Sequence, residues 1–274
     1  MPGLSVSIVT YSSDLSVLSR TLASLAGALE HARRAGLQRV RVTIVDNGPG
    51  STWAERLREL TRRDLVALED AVQILTGHGN VGYGAGHNLA LATSTEDYHL
   101  VLNPDVVIAR DAILEALDFM ESHREVGLLA PAATGVDGSP QYLCKRYPSV
   151  LDLFLRGFAP HFIRNLFETR LGSYEMRAET GPAARFDVPL ASGSFMFLRR
   201  AVAAGLSGFS EGYFMYFEDF DLSLRLSAVA RIAYVPAVRI VHLGGNTARK
   251  GLRHIRMFVR SGWTFFSRHG WRLW

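Results

Sequence analysis

The chain is nearly without cysteine. Its one cysteine, Cys144, excludes an intramolecular disulfide framework and favours a reducing compartment, and no CxxC or Cys/His spacing points to zinc. Long hydrophobic runs are also missing. No stretch reaches the roughly 18 apolar residues a membrane-spanning helix needs. The first residues, MPGLSVSIVTYSSDL, have no basic leader and only a short apolar stretch, so they read as a first strand and not as a signal peptide. No low-complexity tract or internal repeat is visible, which excludes a disordered or solenoid chain. Acid is absent from one end: between Arg249 and Trp274 stand Arg249, Lys250, Arg253, Arg256, Arg260, Arg268 and Arg272 without an Asp or Glu, although the whole chain carries only +4. The remainder is ordinary globular material. Its 274 residues are 48% hydrophobic and 20% charged, enough for one large domain or a domain with an elaborated C-terminal part.

Interleaved with the basic residues of that terminal stretch are Leu252, Ile255, Met257, Phe258, Val259, Trp263, Phe265, Phe266, Trp271 and Trp274. Two readings follow. A basic, aromatic helix can lie at an anionic membrane surface, or the same aromatics can pack on the core. No nucleic-acid-binding module is present, so nucleic acid is not an expected partner.

Strand and helix patterns alternate through the first half. Ser5 to Tyr11 reads as a strand, Leu15 to Arg34 as a helix with leucines at spacings of three and four, and Val40 to Val45 as a second strand ending at Asp46-Asn47-Gly48-Pro49-Gly50. A helix over Trp53 to Leu60 and a strand over Ala71 to Leu75 follow. The glycine-rich loop Gly77 to Gly86 then leads into a helix from about His87 to Thr93. A buried strand ends at Asn103-Pro104-Asp105; a helix over Asp111 to Ser122 and a strand over Val126 to Ala130 complete the alternation. This predicts a parallel sheet with right-handed crossovers over residues 1–131. Residues 132–185 show no period and read as a variable region shaping an acceptor site. Strand character returns at Phe186 to Leu190, Ser194 to Leu198 and Val238 to Val241, with a helix from Asp219 to Arg225.

Several constellations can carry chemistry. Pro104 cannot donate a ladder hydrogen bond, so pairing should fail there and deliver the Asp105 carboxylate to the rim of the sheet. Such a carboxylate suits a hard divalent cation that also holds phosphates, although an ordinary Asn-Pro-Asp turn looks the same. Gly77-x-Gly79-x-x-Gly82 has the form of a dinucleotide fingerprint but stands at the wrong turn, since the first one, Tyr11 to Asp14, has no glycine. Small residues with Asn80 and Asn88 there let backbone approach a phosphate or sugar at a helix N-terminus. Glu218, Asp219 and Asp221 follow the aromatic run Tyr213 to Phe217. They serve as helix-capping acids, or as a general base whose proton affinity the aromatic wall raises. His242, at a strand end before Gly244-Gly245-Asn246, can complete a metal site with Asp105.

The order of SIVTY, IVDN, GNVGYGAGHN, LNPDV, ASGSFMFLRR, GFSEGYFMYFEDFDLSLRL and the His242 strand end resembles the family 2 glycosyltransferases of the GT-A fold, specifically the rhamnosyltransferase-like branch that builds cell-surface polysaccharides such as lipopolysaccharide O-antigen. The likeness covers nearly the whole chain. It implies a Rossmann-like, mostly parallel nucleotide-binding sheet in residues 1–131, an acceptor and catalytic half in 132–248 and a C-terminal helix in 249–274. By the same resemblance Asn103 and Asp105 stand at the metal motif, with Asp105 and His242 holding Mg²⁺ or Mn²⁺. Asp46 would meet the nucleotide base, Thr10 and Tyr11 the nucleoside, and Asn80, Gly82 and Asn88 the diphosphate or donor sugar. Asp219 would be the general base, with Glu218 and Asp221 as neighbouring acids. Gly48-Pro49-Gly50 departs from the small polar stretch and second acid usual in the family, which leaves the nucleotide preference open.

The expectation is a metal-dependent inverting glycosyltransferase that moves a sugar, L-rhamnose from dTDP-L-rhamnose first, onto a lipid-linked or growing glycan. UDP-hexose or UDP-N-acetylhexosamine is the alternative donor. It would act in the cytoplasm, with peripheral attachment to the inner face of the plasma membrane through residues 249–274 as one of the two readings of that stretch. A nucleotidyltransferase lacks a glycine-rich basic signature at the first strand, an NAD-dependent oxidoreductase would have to use the Gly77 to Gly82 loop, and a non-catalytic glycan-binding domain has no need of Asp105, Asp219 and His242 together.

Overall fold

The computed structural model describes residues 2–244 and 251–274, apart from the Ser51 side chain. Met1 and residues 245–250, which include Gly245, Asn246, Arg249 and Lys250, lie outside the described residues. The elements in chain order are β1 (Gly3–Thr10), α1 (Leu15–Arg34), β2 (Arg39–Asp46), α2 (Ser51–Asp64), a 3₁₀ turn (Val66–Ala71), β3 (Val72–Leu75), α3 (Tyr83–Thr93), β4 (Tyr98–Leu102), β5 (Val106–Ile108) and α4 (Ala112–Ser122). They continue with β6 (Val126–Thr134), β7 (Pro140–Gln141), β8 (Cys144–Lys145), α5 (Val150–Gly157), α6 (His161–Leu166), α7 (Glu168–Tyr174), β9 (Arg185–Phe186) and β10 (Leu190–Ala191). Last come β11 (Phe195–Arg199), α8 (Arg200–Gly205), α9 (Glu218–Ser227), β12 (Arg231–His242) and α10 (Leu252–His269).

Local chemistry explains the first unit. The Asp14 carboxylate accepts the Ser16 N–H at 2.8 Å and starts α1, whose Leu18, Leu22, Leu25 and Leu29 are all buried on the sheet. The main sheet runs β3-β2-β1-β4-β11-β6-β12-β5. Its first four strands are parallel and β1 is buried along its whole length. Strand order turns back between β1 and β4, so their carboxyl ends, at Thr10 and Asn103, flank the switch point where ligands of open α/β sheets collect.

The structure departs from the sequence expectation in four places. The sheet is mixed and continuous across both halves, because β11 inserts antiparallel between β4 and β6. Helix α3 begins at Tyr83 and takes in two loop glycines. A Cβ on Gly84 would lie 2.8 Å from the Phe209 Cβ and one on Gly86 2.9 Å from the Val9 Cγ2, so these glycines serve close packing and not a turn. Residues 132–185 hold α5, α6 and α7, whose 8, 6 and 7 residues are too few to show a period. The strand expected over Phe186 to Leu190 is broken by Asp187 at φ 59°, leaving β9 and β10 in different sheets.

At the C-terminus α10 buries Ser261, Gly262, Phe265 and Phe266 against an aromatic cluster containing Tyr213 and Phe217. The core-packing reading therefore holds for one face. The outer face leaves Leu252, Val259 and Trp263 exposed, and beyond it Trp271, Leu273 and Trp274. Among the described residues no helix is long and apolar enough to cross a membrane. Asp221 locks the helix in place. Only 2% exposed, it accepts from Arg225 Nε at 2.8 Å and pairs with His269 Nε2 of α10 at 2.9 Å. Replacing it with alanine removes a buried carboxylate from two half-buried partners, Arg225 and His269. Asp221→Ala is expected to cost about 3 kcal/mol, read as a lowered urea midpoint. An unchanged midpoint would show that this latch holds nothing.

Candidate functional site

One cleft of about 1370 Å³ opens at the carboxyl ends of β1 and β4. Thr10, Tyr11, Asn80, Gly82, Asn103, Asp105, Glu218 and Asp219, all singled out from sequence, line it. Thr10 is buried at the end of β1, Tyr11 is half exposed, and Asn80 turns the loop by accepting the Gly82 N–H at 3.1 Å. Gly82 has φ 94°, and a Cβ there would sit 2.3 Å from the Phe214 carbonyl oxygen, which accepts the Tyr83 N–H at 3.0 Å. The glycine loop is thus pressed onto the aromatic segment that precedes the acids, and glycine is required by both conformation and contact.

Asp105 and His242 lie side by side, although their strands are far apart in the sequence. Strand β12 pairs antiparallel with β5, setting His242 opposite Val106, and His242 Nε2 lies 3.4 Å from Asp105 Oδ1. On its other side His242 Nδ1 is 3.0 Å from Gln141 Oε1. The ring is thus held between the Gln141 side chain and the Asp105 carboxylate.

The acids Glu218 and Asp219 open α9 directly after Tyr216 and Phe217, both in the left-handed region at φ 73° and 67°. Asp219 accepts the Gly193 N–H at 2.8 Å and the Phe220 N–H at 2.9 Å, and it faces the cleft. Glu218 lies deeper, 4% exposed, with Oε2 buried and unpartnered among the described residues. Burial, reinforced by Asp219, pushes the Glu218 carboxyl up to about 8. Burial raises Asp219 as well, opposed by its two backbone donors.

Four expected residues do not line the cleft: His242, which stands behind Asp105, and Asn88, Asp46 and Asp221. The Asn88 amide is fully used on the next loop, donating to the Phe209 carbonyl and accepting the Phe209 N–H, each at 2.8 Å. Asp46 is 3% exposed, and its Oδ1 accepts from Gly48 N–H at 2.8 Å and Trp53 Nε1 at 2.9 Å. A Cβ on Gly48 would crowd both groups at 2.8 Å, which accounts for the glycine that departs from the family pattern. Asp221 stands two residues beyond Asp219 and so points away around the helix, into the α10 latch.

Sequence reasoning missed several lining residues. Asn47 donates from Nδ2 to the Gly82 carbonyl at 2.9 Å and lines the cleft beside Thr10, where Asp46 was expected. Tyr83 OH lies 2.8 Å from Asn103 Oδ1 and 2.6 Å from the Gly193 carbonyl, tying the Asn103-Pro104-Asp105 turn to the loop that holds Asp219. Its position as the first residue of a helix after a glycine loop was the available signal. Lys145, Arg156 and Tyr174 form the far wall and had none, because they come from the stretch without a period.

Against known proteins, residues 5–204 match Glycosyl transferase family 2. The rhamnosyltransferase WbbL of Escherichia coli K12 is 29% identical over 200 residues, 69% of this chain and 72% of the relative. The N-acetylglucosaminyl-diphospho-decaprenol L-rhamnosyltransferase of Mycobacterium tuberculosis H37Rv is 30% identical over 284 residues, 98% of this chain and 86% of the relative. Among solved structures, GalNAc-T7 with UDP, GalNAc and Mn²⁺ superposes with a TM-score of 0.65 at 14% identity, covering 90% of this chain and 44% of that one. The mannosyltransferase PcManGT from Pyrobaculum calidifontis, with GDP-Man and Mn²⁺, gives 0.58 at 18% identity, covering 88% and 56%. These likenesses show the fold, a mixed, mostly parallel GT-A sheet.

The buried acid pair makes a pH prediction. Glu218 binds its proton more tightly folded than unfolded, so its contribution to stability is full below the unfolded value near 4.5 and is lost as pH rises toward 8. Glu218→Gln removes that loss. The variant should therefore gain urea resistance relative to the parent between pH 5 and pH 8, and parallel pH profiles would show that Glu218 is not held protonated.

Proposed function

Because the chain belongs to Glycosyl transferase family 2 and is a glycosyltransferase, we propose that it transfers L-rhamnose from dTDP-L-rhamnose to a lipid-linked glycan by inverting displacement, with Asp219 as base. One observation carries the mechanism: a carboxylate fixed by two backbone N–H groups faces the same cleft as Asp105, which His242 backs at 3.4 Å. The donor and acceptor follow the names of the two rhamnosyltransferase relatives, one of which specifies an N-acetylglucosaminyl-diphospho-decaprenol substrate.

Thr10, Tyr11 and Asn47 would line the nucleoside, with Asn80 and Gly82 toward the diphosphate. An acceptor hydroxyl hydrogen-bonded to Asp219 gives its proton to that carboxylate as its oxygen bonds to the anomeric carbon from the face opposite the nucleotide. The bond from that carbon to the diphosphate oxygen breaks, its electron pair leaves with the nucleotide, and the configuration inverts. The residues present fit a divalent cation. An imidazole nitrogen and a carboxylate oxygen stand 3.4 Å apart, with the far ring nitrogen held against Gln141, a donor set a hard divalent cation accepts. Two protein donors suit Mg²⁺ or Mn²⁺, which fill the remaining positions with phosphate and water. When bound, the ion supplies positive charge for the departing diphosphate.

The outer face of α10 supports a peripheral membrane reading, with Leu252, Val259, Trp263 and the Trp271-to-Trp274 tail exposed among Arg253, Arg256, Arg260 and Arg272. Since the inner face packs on Phe217, surface substitution and not truncation is the fair trial.

In direct assays Asp219→Asn should keep Mn²⁺-dependent dTDP binding and lose about a hundredfold or more in transfer, while Asp105→Ala should lose the metal-dependent binding. Near-normal turnover by the first variant would remove Asp219 as base. On phosphatidylglycerol vesicles the parent should bind in a salt-sensitive manner, and Trp263→Ser with Trp274→Ser should bind more weakly. Absent or salt-insensitive binding by the parent would discard the membrane reading.

A further inference from the structure

The far wall of the cleft holds a cluster that the transfer chemistry leaves unused. Lys145, on β8, is only 3% exposed, yet it lines the cleft. Its Nζ lies 3.3 Å from Glu175 Oε1, and Arg156 Nε of α5 lies 3.2 Å from the same oxygen. Arg177 reaches the other oxygen of Glu175 at 2.8 Å and also pairs with Glu168. One carboxylate thus serves Lys145 and Arg156 and shares a third cation, so the wall retains positive charge. Burial, with the neighbouring Arg156 charge, lowers the Lys145 ammonium to about 7, the cost of holding it there without enough counter-charge.

A second, independent feature points at the same space. Tyr174 is 3% exposed, lines the cleft, and its buried hydroxyl has no hydrogen-bond partner among the described residues. Its ring centroid is 5.6 Å from the Lys145 Nζ. A buried hydroxyl left unmatched beside under-neutralised cations is unfavourable until a ligand with anionic oxygens arrives. Asp219 is near enough to feel the charge of Arg156 and to raise the Tyr174 hydroxyl. Asp105, backed by His242, belongs to a different wall, beyond the end of β4.

The rim beside this cluster is apolar. Phe158 follows α5, lines the cleft, and stacks with Phe154 at 6.2 Å; both are about half exposed. Phe162 and Leu166 of α6 continue the exposed apolar surface.

We propose that Lys145, Arg156 and Tyr174 form an acceptor-side phosphate subsite that holds the diphosphate of a polyprenyl-linked sugar, with the lipid leaving over Phe158 and Phe154. The inference rests on the glycosyl-transfer reading of the cleft and deepens it: a sugar whose hydroxyl meets Asp219 carries its anomeric diphosphate on the other side of the ring, toward this cluster. The cations would then select acceptors by the charge at their reducing end and not by the sugar alone.

The test separates acceptor binding from transfer. With dTDP and Mg²⁺ filling the donor end, farnesyl diphosphate is titrated calorimetrically into the full chain, with farnesol and inorganic pyrophosphate in parallel. Farnesyl diphosphate should bind more tightly than either, the excess over farnesol measuring the phosphates and the excess over pyrophosphate the lipid. Arg156→Gln and Lys145→Met should each weaken it about tenfold or more, and Lys145→Arg should restore most of the loss. Arg156 is about half exposed, so its variant keeps the test alive if the buried lysine cannot be replaced without unfolding. In transfer assays the preference for farnesyl-diphospho-N-acetylglucosamine over octyl N-acetylglucosaminide should fall by the same factor. Equal affinity of parent and both charge-removing variants for farnesyl diphosphate would overturn the subsite. A parent that binds farnesyl diphosphate through these residues yet transfers rhamnose to neither acceptor would instead overturn the transfer reading.

Discussion

The two cleft acids, Glu218 and Asp219, depend on two residues held in a conformation that side chains disfavour. Tyr216 and Phe217 are left-handed, each at a cost of about 1–3 kcal/mol, and they turn the chain so that α9 starts with Glu218 inward and Asp219 toward the cleft. The offset comes from the far end of the sequence. The Phe217 ring packs 5.1 Å from Phe258 and 5.3 Å from Phe265, the Tyr216 hydroxyl lies 2.9 Å from His254 Nδ1, and Ser261 Oγ donates to the Met215 carbonyl at 2.8 Å. Gly262 leaves room for the ring, since a Cβ there would touch it at 3.4 Å. Helix α10 therefore supports the turn that places Asp219 at the cleft, and the Asp221 latch fastens that helix without reaching the cleft.

Electrostatics then divides the labour between the adjacent acids. Both are pushed toward protonation by burial, and ionising both would set two like charges together in a poorly hydrated place. Glu218 is the deeper and has an unpartnered oxygen, whereas Asp219 has two N–H donors on its carboxylate. The proton belongs on Glu218. Asp219 is left anionic, elevated in proton affinity, and open to the cleft, the condition a general base requires.

How much of this is legible in the sequence varies with the range of the interaction. Helix α1 shows its full extent because the leucine spacing and the Asp14 cap are local, and the Asn103-Pro104-Asp105 strand end shows because proline interrupts a buried run. The pairing of Asp105 with His242 follows from the order of motifs. The fates of Asp46, Asn88 and Asp221 do not, because each acid or amide is captured by a partner that only folding brings near: Trp53, the Phe209 backbone and His269. The far wall was illegible for a different reason, since helices of one or two turns leave no measurable period and the charges on them look like any solvated surface.

Asn103 shows how the cleft limits its own charge. Its Oδ1 lies 2.8 Å from the Tyr83 hydroxyl, which in turn touches the Gly193 carbonyl, so the residue acts as a strut between the strand end and the loop whose N–H fixes Asp219. An aspartate could make the same contact, but it would add a negative charge to a cleft already holding Asp105, Glu218 and Asp219, and the Tyr83 hydroxyl already feels all three of these. The amide keeps the strut and omits the charge.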